Sequence, residues 1–311
     1  MTFEDKHTDV VAAQQAADTI LEALEQAKRP VIMLGHGVDS SFSQQKLIRF
    51  AQKRQIPIIT SVLAKSVLGY DHPLNFGCIG GAYGHRYANM IANAKSDLLL
   101  CFGISLCTRQ IGTKVHEFAR GAKIIRIDID PYNLQRDIHE NGINEVKLQA
   151  ETGAVIDCLA KAAAPDTEGI SDWLNVCTEI KENLQAVDDA TPERYPNRMI
   201  ADLSDMLEDT SAIAVDVGQH MVWSYQSFKN HEGQKLLFSG GHGAMGYGLP
   251  AAIGAYYATG KPTACICGDG ALQMNIQELE WVKRENLPVK IMVMNNEALG
   301  MILSLIHISE P

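Results

Sequence analysis

Residues 268–296 read GDGALQMNIQELEWVKRENLPVKIMVMNN, and this stretch decides the fold. It begins where one short apolar run, TACIC, ends, and it closes with a second, VKIMVM, followed by Asn295 and Asn296. The residues between have the length and apolar spacing of one helix, NIQELEWVKREN (275–286), so the stretch predicts a strand, a crossover helix and a returning strand. Because such crossovers are right-handed and join parallel strands, both strands should end at the same edge of one sheet.

The two strand ends carry residues suited to a phosphate-bound cation. Asp269 offers carboxylate oxygens and Asn296 an amide oxygen, while Gly268 and Gly270 let backbone N–H groups approach a diphosphate closely. Mg²⁺ favours a few protein oxygens that share an octahedron with phosphate and water oxygens. Taken singly, each motif also fits an ordinary turn, with Asp269 as a helix N-cap. Together, at this spacing, they predict a ligand site at the carboxyl edge of the sheet.

Outward from this stretch, short apolar runs alternate with helical patterns, which indicates the α/β class. We expect two consecutive three-layer α/β/α domains with mainly parallel sheets, the second truncated. A polar stretch with Pro and Gly, KAAAPDTEG, marks the boundary between them. The predicted ranges are a first domain over 1–164, a linker with one helix over 165–197, a second domain over 198–302 and an unrelated tail over 303–311.

Composition and charge argue against several classes of partner. The chain has 311 residues, 46% of them hydrophobic, and a formal net charge of −10 without a dense Lys/Arg run, so nucleic acid is not an expected partner. Its apolar runs, such as DLLLCFGISLC, are broken well short of the ~20 residues that span a bilayer, so no membrane partner is expected either. The first residues lack a secretory pattern, and the seven cysteines are scattered without a CxxC pair, which predicts a cytoplasmic protein.

The stretch GDGALQMNIQELEWVKRENLPVKIMVMNNEALGM, with DVGQHMVWSYQ and SGGHGAMGYGLPAAIGA before it, resembles the thiamine-diphosphate motif of the acetolactate synthase family. The resemblance implies an intact enzyme, a transferase or lyase of branched-chain amino acid biosynthesis, that decarboxylates a 2-oxo acid and joins the product to an acceptor. It implies thiamine diphosphate and Mg²⁺ as cofactors, and pyruvate as the default donor. Because the family's sites form between subunits, it also implies a homodimer or homotetramer.

The resemblance further assigns roles to residues of this sequence. The metal ligands that it implies are the side chains of Asp269 and Asn296 and the backbone carbonyl of Ala298. The other residues that it places against the cofactor are Gln219, His220, Gly243, Met245, Gly268, Gly270 and Ala271. Met245 would be the apolar wedge that bends the cofactor, a role that suits a long unbranched side chain. Gly243 would contact the aminopyrimidine through its backbone, and Gln219 and His220 would face the diphosphate.

The first domain resembles the central domain of the same family, in HPLNFGCIGGAYGHRYANMIANAKSDLLLCFG and AKIIRIDIDP. Family members that carry FAD bind it here, with an arginine soon after the glycine that ends the DLLL strand. In this chain Gly103 is followed by Ile104 and Ser105, and Arg109 is the arginine nearby. A purely structural α/β domain is therefore the alternative to a flavin site. The segment KVHEFARG (114–121) predicts a helix in this domain.

Two parts of a complete site are expected outside these residues. In the family, activation of the cofactor requires a glutamate from an N-terminal domain, usually of the neighbouring subunit, so no catalytic residue is assigned in this chain. After the motif, ILSLIHISEP is unlike the polar helix that follows in the family. The chain is therefore predicted to be a fragment that is inactive alone. A thiamine-diphosphate-binding protein without turnover is the second hypothesis.

A third hypothesis comes from residues 241–246, GHGAMG, which fit the pattern G-x-G-x-x-G. They follow a short strand, open a helix and have an acidic residue, Asp269, downstream, which together are typical of dinucleotide-binding oxidoreductases. This reading leaves Asn295 and Asn296 unexplained, and it places glycines on both sides of the acidic residue that would bind the ribose.

Overall fold

A computed structural model describes residues 10–38, 40–81, 83–139, 142–162 and 170–303 of the chain. The chain divides into two units, of which the first comprises residues 10–67 and 73–185 and the second residues 68–72 and 186–303. Each unit has a parallel sheet covered by helices, so the predicted α/β class with two parallel-sheet domains is confirmed. The expected tail over 303–311 lies outside the described residues except for Leu303.

Six parallel strands form the sheet of the first unit, in the order β3-β2-β1-β4-β5-β6. Their bounds are β1 Pro30–Leu34, β2 Ile58–Thr60, β3 Asn75–Cys78, β4 Leu98–Phe102, β5 Lys123–Asp128 and β6 Glu145–Gln149. Every residue of β1 and β4 is buried, because the central strands of a parallel sheet are covered on both faces. This is why these strands read as continuous apolar runs in the sequence.

Seven helices accompany this sheet in the described residues: α1 Val10–Gln26, α2 Ser41–Arg54, α3 Arg86–Asn89, α4 Thr108–Ile111, α5 Pro131–Gln135, α6 Thr152–Lys161 and α7 Ile170–Asn183. A π-helical segment, Met90–Lys95, continues α3, and α4 carries Arg109. Short 3₁₀ helices cover Val62–Val67 and Val115–Glu117. Helix α5 begins at Pro131 because proline suits the first helical position, and the Asp130 carboxylate accepts a hydrogen bond from the N–H of Tyr132 at 2.9 Å.

Helix α7 packs against the first unit, whereas the sequence-based division places it in a linker. The indole Nε1 of Trp173 donates to the backbone oxygen of Pro30 at 3.0 Å, and Cys177 is fully buried in the same core. The Lys181 ammonium donates to the backbone oxygen of Asn75 at 2.9 Å. The polar residues that suggested the boundary, 163–169, lie outside the described part of the chain.

A buried ion pair joins β5 to β6. Nη1 of Arg126 lies 2.7 Å from Oε1 of Glu145, and neither side chain is more than 2% exposed. Arg126 also donates to the backbone oxygens of Asn133 and Arg136, and Glu145 accepts from the N–H of Ile138. These hydrogen bonds hold the buried charges in place, and the segment EVKLQ therefore forms the edge strand β6. Its largely polar sequence did not predict a strand.

The loops after β1 and β4 approach each other backbone to backbone at the carboxyl edge of this sheet. The N–H of Gly37 donates to the carbonyl of Gly103 at 3.0 Å, and a Cβ added at Gly35 would lie 2.0 Å from the same oxygen. Gly103 itself has a φ of 54°, which favours glycine. These contacts leave no room for a side chain at Gly35.

Four parallel strands form the sheet of the second unit, in the order β10-β9-β7-β8. Their bounds are β7 Ala212–Val215, β8 Lys235–Phe238, β9 Thr263–Gly268 and β10 Val289–Met294. The described helices of this unit are α8 Pro196–Met206, α9 Gln219–Ser227, α10 Gly248–Thr259, α11 Asp269–Met274 and α12 Glu278–Arg284. Leu249 and Ala252 of α10 share a buried core with Ala214 of β7 and Cys265 of β9.

Two predicted helices were wrong in extent. Over 114–121 the structure has only the 3₁₀ helix Val115–Glu117, because Ala119 takes a φ of 47° and its N–H donates to Oδ1 of Asn93. Within 275–286 the structure has only the shorter helix α12, Glu278–Arg284, and a separate helix, α11, begins directly after Gly268. None of the helices in the described ranges is long and apolar enough to cross a membrane.

Candidate functional site

Three loops of the second unit meet at the carboxyl edge of its sheet. Strand β9 lies between β10 and β7, and the register pairs Met294 with Gly268 at the strand ends. The loop after β7 leads into Gln219 and His220, the loop after β9 leads into Asp269, and the loop after β10 begins with Asn295 and Asn296. The adjacency predicted for the ends of β9 and β10 is therefore confirmed, and β7 joins them.

A direct hydrogen bond links the outer two of these loops. Nδ2 of Asn296 donates to Oε1 of Gln219 at 2.9 Å, which orients the Asn296 side chain. Oδ1 of Asn296 accepts from the N–H of Ala298 at 3.1 Å, so this short turn fixes Ala298 as well. The Gln219 amide also lies 2.3 Å from the position of a Cβ at Gly300, so a side chain there would displace the end of Gln219.

Asp269 occupies the first position of α11, directly after Gly268 as the N-cap residue. A carboxylate in the first turn is favourable there because the helix N-terminus carries partial positive charge. The side chain of Asp269 is half-buried. It follows β9, which lies between β10 and β7 in the sheet, so the loops after β10 and β7 lie on either side of it. Gly268, Gly270 and Ala271 flank it, and Ala271 is buried in the core beneath.

The end of the Met245 side chain lies close to the Gly270 backbone. A Cβ added at Gly270 would lie 3.7 Å from Cε of Met245 and 2.5 Å from Cδ2 of Leu299. Because Gly270 has no side chain, Leu299 packs directly against its backbone, with the end of Met245 nearby. Leu299 did not emerge from the sequence analysis, although it lies in the stretch NNEALGM that carried the resemblance.

His220 is buried at the centre of these loops, 4% exposed. Its ring lies against glycine backbone, since a Cβ at Gly268 would be 3.2 Å from Nδ1 and one at Gly218 would be 2.6 Å from Cε1. Nε2 has no hydrogen-bond partner among the described residues. Burial lowers the pKa of the imidazole, and the carboxylates of Asp216 and Asp269 oppose this shift. The site thus contains a buried ring nitrogen whose hydrogen-bonding capacity is unused.

Asp216 was missed by the sequence analysis, and it organises the glycine-rich turn before α10. Its side chain is 1% exposed, Oδ1 accepts from the N–H of Gly246 at 2.9 Å, and Oδ2 accepts from the N–H of Gly248 at 2.7 Å. The carboxylate therefore holds the start of α10, beside the segment that carries Gly243 and Met245. An acidic residue directly after a four-residue apolar strand, in AIAVDVG, is the signal that could have identified it.

Gly243 lies in the same turn as Met245, but open space surrounds it. Gly243 has a φ of 73°, so glycine is favoured, and a Cβ there would meet nothing within 4 Å. The same turn bears on the dinucleotide hypothesis, because Asp216 already occupies the amides of Gly246 and Gly248. A dinucleotide pyrophosphate would need N–H groups at this helix start to be free.

Comparison with known proteins matches both units to one family. The model described as thiamine pyrophosphate enzyme, central domain, matches residues 17–159, and that described as thiamine pyrophosphate enzyme, C-terminal TPP binding domain, matches residues 216–305. The second match contains every candidate residue described above.

Similar proteins include acetolactate synthase 1, chloroplastic, of Nicotiana tabacum, which is 35% identical over 92% of this chain and 42% of its own length. The probable acetolactate synthase large subunit of Methanococcus aeolicus is 33% identical over 91% of this chain and 49% of its own length. The acetolactate synthase isozyme 1 large subunit of Escherichia coli is 34% identical over 89% of this chain and 48% of its own length. The chain spans less than half the length of these relatives, and it belongs to the thiamine pyrophosphate enzymes, with their central and C-terminal domains.

Proposed function

We propose that the carboxyl edge of β7, β9 and β10 binds thiamine diphosphate, the thiamine pyrophosphate of the family, together with Mg²⁺. The observation that carries the proposal is the hydrogen bond between Asn296 and Gln219, which ties the loops on either side of Asp269. In this proposal Asp269, Asn296 and the carbonyl of Ala298 hold the metal ion. The cofactor lies against Gln219, His220, Gly243, Met245, Gly268, Gly270 and Ala271.

The donor atoms at this edge suit magnesium. The described residues contain no group of three or more His, Cys, Asp or Glu side chains that could hold a metal ion. A cation here would therefore rely on one carboxylate, amide and carbonyl oxygens and the oxygens of a bound phosphate, the ligand set that Mg²⁺ accepts. Oδ1 of Asn296 keeps a second lone pair for this purpose, since it accepts one hydrogen bond.

The buried ring of His220 supports a phosphate-bearing ligand. Its Nε2 has no partner in the described chain, and an unpaired polar atom in a buried site is costly unless a ligand or water satisfies it. A phosphate oxygen beside this nitrogen would favour the protonated ring, against the effect of burial. His220 would then hold a proton at Nε2 and donate it in a hydrogen bond to the diphosphate.

Met245 and Leu299 would position the cofactor and exclude water. Both side chains are apolar and lie beside Gly270, next to the proposed diphosphate position. Thiamine diphosphate, when bound, supplies an electron sink for the decarboxylation of 2-oxo acids. An apolar wall strengthens electrostatic interactions at such a centre because it lowers the local dielectric constant.

For the longer protein we propose acetolactate synthase-like activity on small 2-oxo acids, with pyruvate as the donor. The relatives named acetolactate synthase support this assignment over about 90% of the chain. We infer that the glutamate which activates the cofactor comes from another domain, that the intact enzyme is a homodimer or homotetramer, and that this chain alone binds the cofactor without turnover.

Thermal unfolding of the chain tests the binding site. Thiamine diphosphate should raise the melting temperature in the presence of Mg²⁺ and not in the presence of a chelator. Asp269→Ala and Asn296→Ala should abolish the shift, and Asp205→Ala, at an exposed position on α8, should preserve it. If a nicotinamide dinucleotide stabilises the chain without magnesium and thiamine diphosphate does not, the proposal is wrong. The hypothesis of a dinucleotide-binding oxidoreductase would then take its place.

Turnover requires the longer protein. With pyruvate it should release carbon dioxide and form a condensation product, and Asp269→Ala should remove both. Absence of both products with a series of 2-oxo acids, in a preparation that binds the cofactor, would contradict the proposed activity while leaving the binding site intact.

A further inference from the structure

A cleft in the first unit, far along the chain from the candidate site residues, is lined by α2 and the end of α6. Its volume is about 340 Å³, at the small end of the range for organic ligands. Helix α2 contributes Phe42, Lys46, Arg49, Phe50, Lys53 and Arg54, and the last residues of α6 form the facing wall. These α2 residues recur at helical spacing, so they lie along one side of the helix.

Among the residues that the structure describes, the lining carries four cationic side chains and no acidic one, on a chain whose formal net charge is −10. Lys46 is neutralised by a salt bridge of 2.6 Å to Asp157. Arg49 and Lys53 have no ion-pair partner among the described residues. Lys53 and Arg54 in the last turn of α2 compensate the helix dipole, but Arg49 lies a turn earlier. The cleft therefore holds positive charge beyond what the helix end requires.

Arg54 adds a cation that is already desolvated. It is 8% exposed, and burial lowers the pKa of its guanidinium, against the nearby charge of Glu25. Its Cζ lies 4.8 Å from the centre of the Phe50 ring. A guanidinium group is weakly hydrated and pairs well with phosphate, so the buried charge of Arg54 adds to the positive potential that the exposed Arg49 and Lys53 present.

An aromatic ring stands beside these cations. Phe42 is 64% exposed, and Nζ of Lys46 lies 3.9 Å from its ring centre. A large apolar ring exposed at the rim of a cationic cleft offers a stacking surface for a flat ligand, whereas it adds nothing to the binding of an inorganic anion. The two properties together select a ligand with both a ring and a phosphate.

We propose that this cleft binds a mononucleotide, with the phosphates at Arg49 and Lys53 and the base against Phe42. The proposal is independent of the function proposed for the second unit, since it uses no residue of that site. The volume is too small for a dinucleotide lying fully inside, and the cationic side chains of the described lining fit a ligand that carries several negative charges.

Equilibrium binding to the full chain tests this, with ADP, adenosine and inorganic pyrophosphate as probes. Each is measured with and without saturating thiamine diphosphate and Mg²⁺. ADP should bind saturably in both conditions, and adenosine and pyrophosphate should each bind at least about tenfold more weakly, because each lacks one half of the recognition. Binding should weaken with added salt.

The variant Arg49→Gln/Lys53→Gln should weaken ADP binding at least about tenfold, and Phe42→Ser should reduce the preference for ADP over pyrophosphate. The matched control Lys28→Gln/Lys123→Gln removes two exposed positive charges of the same unit and should leave affinity unchanged. Melting temperatures show that each variant is folded. The proposal would be overturned by any of three results: unchanged ADP affinity in Arg49→Gln/Lys53→Gln, displacement of ADP by thiamine diphosphate, or no binding at about 5 mM ADP.

Discussion

The two sheets of this chain are built alike but differ at their carboxyl edges. In the first unit the loops after β1 and β4 meet backbone to backbone through Gly35, Gly37 and Gly103. In the second unit the loops meet through polar side chains, and a buried ring nitrogen of His220 is left without a partner in the described residues. The comparison teaches that α/β architecture supplies the edge, while the residue types at the strand ends decide whether ligand-binding groups collect there.

Gly35→Ala gives the largest expected effect and tests the first edge. The new Cβ would lie 2.0 Å from the carbonyl oxygen of Gly103, and backbone cannot give way as a side chain can. We expect a loss of about 3 kcal/mol in the free energy of unfolding, measured by urea denaturation. The control is Gly121→Ala, where a Cβ meets nothing within 4 Å. Equal stability of the two variants would show that this edge tolerates side chains.

Asp216→Asn tests the polar organisation of the second edge. The two N–H groups of Gly246 and Gly248 donate to different oxygens of Asp216. An asparagine side chain has only one oxygen and an NH₂ group in place of the other, so one buried N–H loses its partner. The expected loss is about 1–3 kcal/mol in the free energy of unfolding. Asp205→Asn, at an exposed site on α8, should change stability by less than about 0.5 kcal/mol. A wild-type value for Asp216→Asn would mean that the turn before α10 is held by other contacts.

Gly270→Ala applies the same kind of substitution as Gly35→Ala, but at the second edge. Its Cβ would meet the flexible end of Leu299, which can move, so the free energy of unfolding should change little. The displaced Leu299 side chain would disturb the apolar contact with the cofactor, and affinity for thiamine diphosphate should fall about tenfold, or about 1.4 kcal/mol. The double variant with Leu299→Ala should recover part of this affinity. A large loss of stability with unchanged affinity would reverse the contrast between the two edges.

The pH dependence of stability gives the smallest expected effect. Because burial lowers the pKa of His220 in the folded chain, the unfolded chain binds more protons between that pKa and about 6.5. Without cofactor, stability should therefore fall as the pH decreases through this window. The pKa of His72 is lowered by burial as well, so the slope is not due to His220 alone.

The comparison of variants isolates the contribution of His220. Thermal unfolding between about pH 7.5 and 5.5 should show a shallower loss for His220→Gln than for the wild type. His242→Gln, at an exposed position, should retain the wild-type slope. If the His220 variant keeps the full slope, the buried ring does not take part in the titration.

The parts of the fold that could be predicted from the sequence were those with uninterrupted apolar strands. The runs VIML, LLLCF and AIAV are strands because nothing polar competes for their burial. Strand β6 escaped prediction because Glu145 is buried only through its pairing with Arg126, a partner on another strand that local patterning does not reveal. Likewise, the short helix near residue 115 depends on a hydrogen bond from Ala119 to Asn93, 26 positions earlier.

The candidate site shows the same limit. Asp269 and Asn296 could be placed together because their strand ends are connected by one crossover of readable length. Asp216 follows a strand earlier in the chain, and its role depends on amides 30 and 32 residues downstream, so spacing alone did not identify it. Leu299 matters only because Gly270 has no side chain, which is a property of packing rather than of sequence pattern.

The carboxylate at the start of α10 also has a kinetic consequence. A helix N-terminus ordinarily contributes positive potential to the space before it, but here Asp216 lies at that end, on a chain with a formal net charge of −10. A polyphosphate anion that diffuses towards this edge therefore moves against a repulsive field, which dissolved salt screens. Its association rate should rise with ionic strength, the reverse of what is observed when phosphates enter a basic cleft.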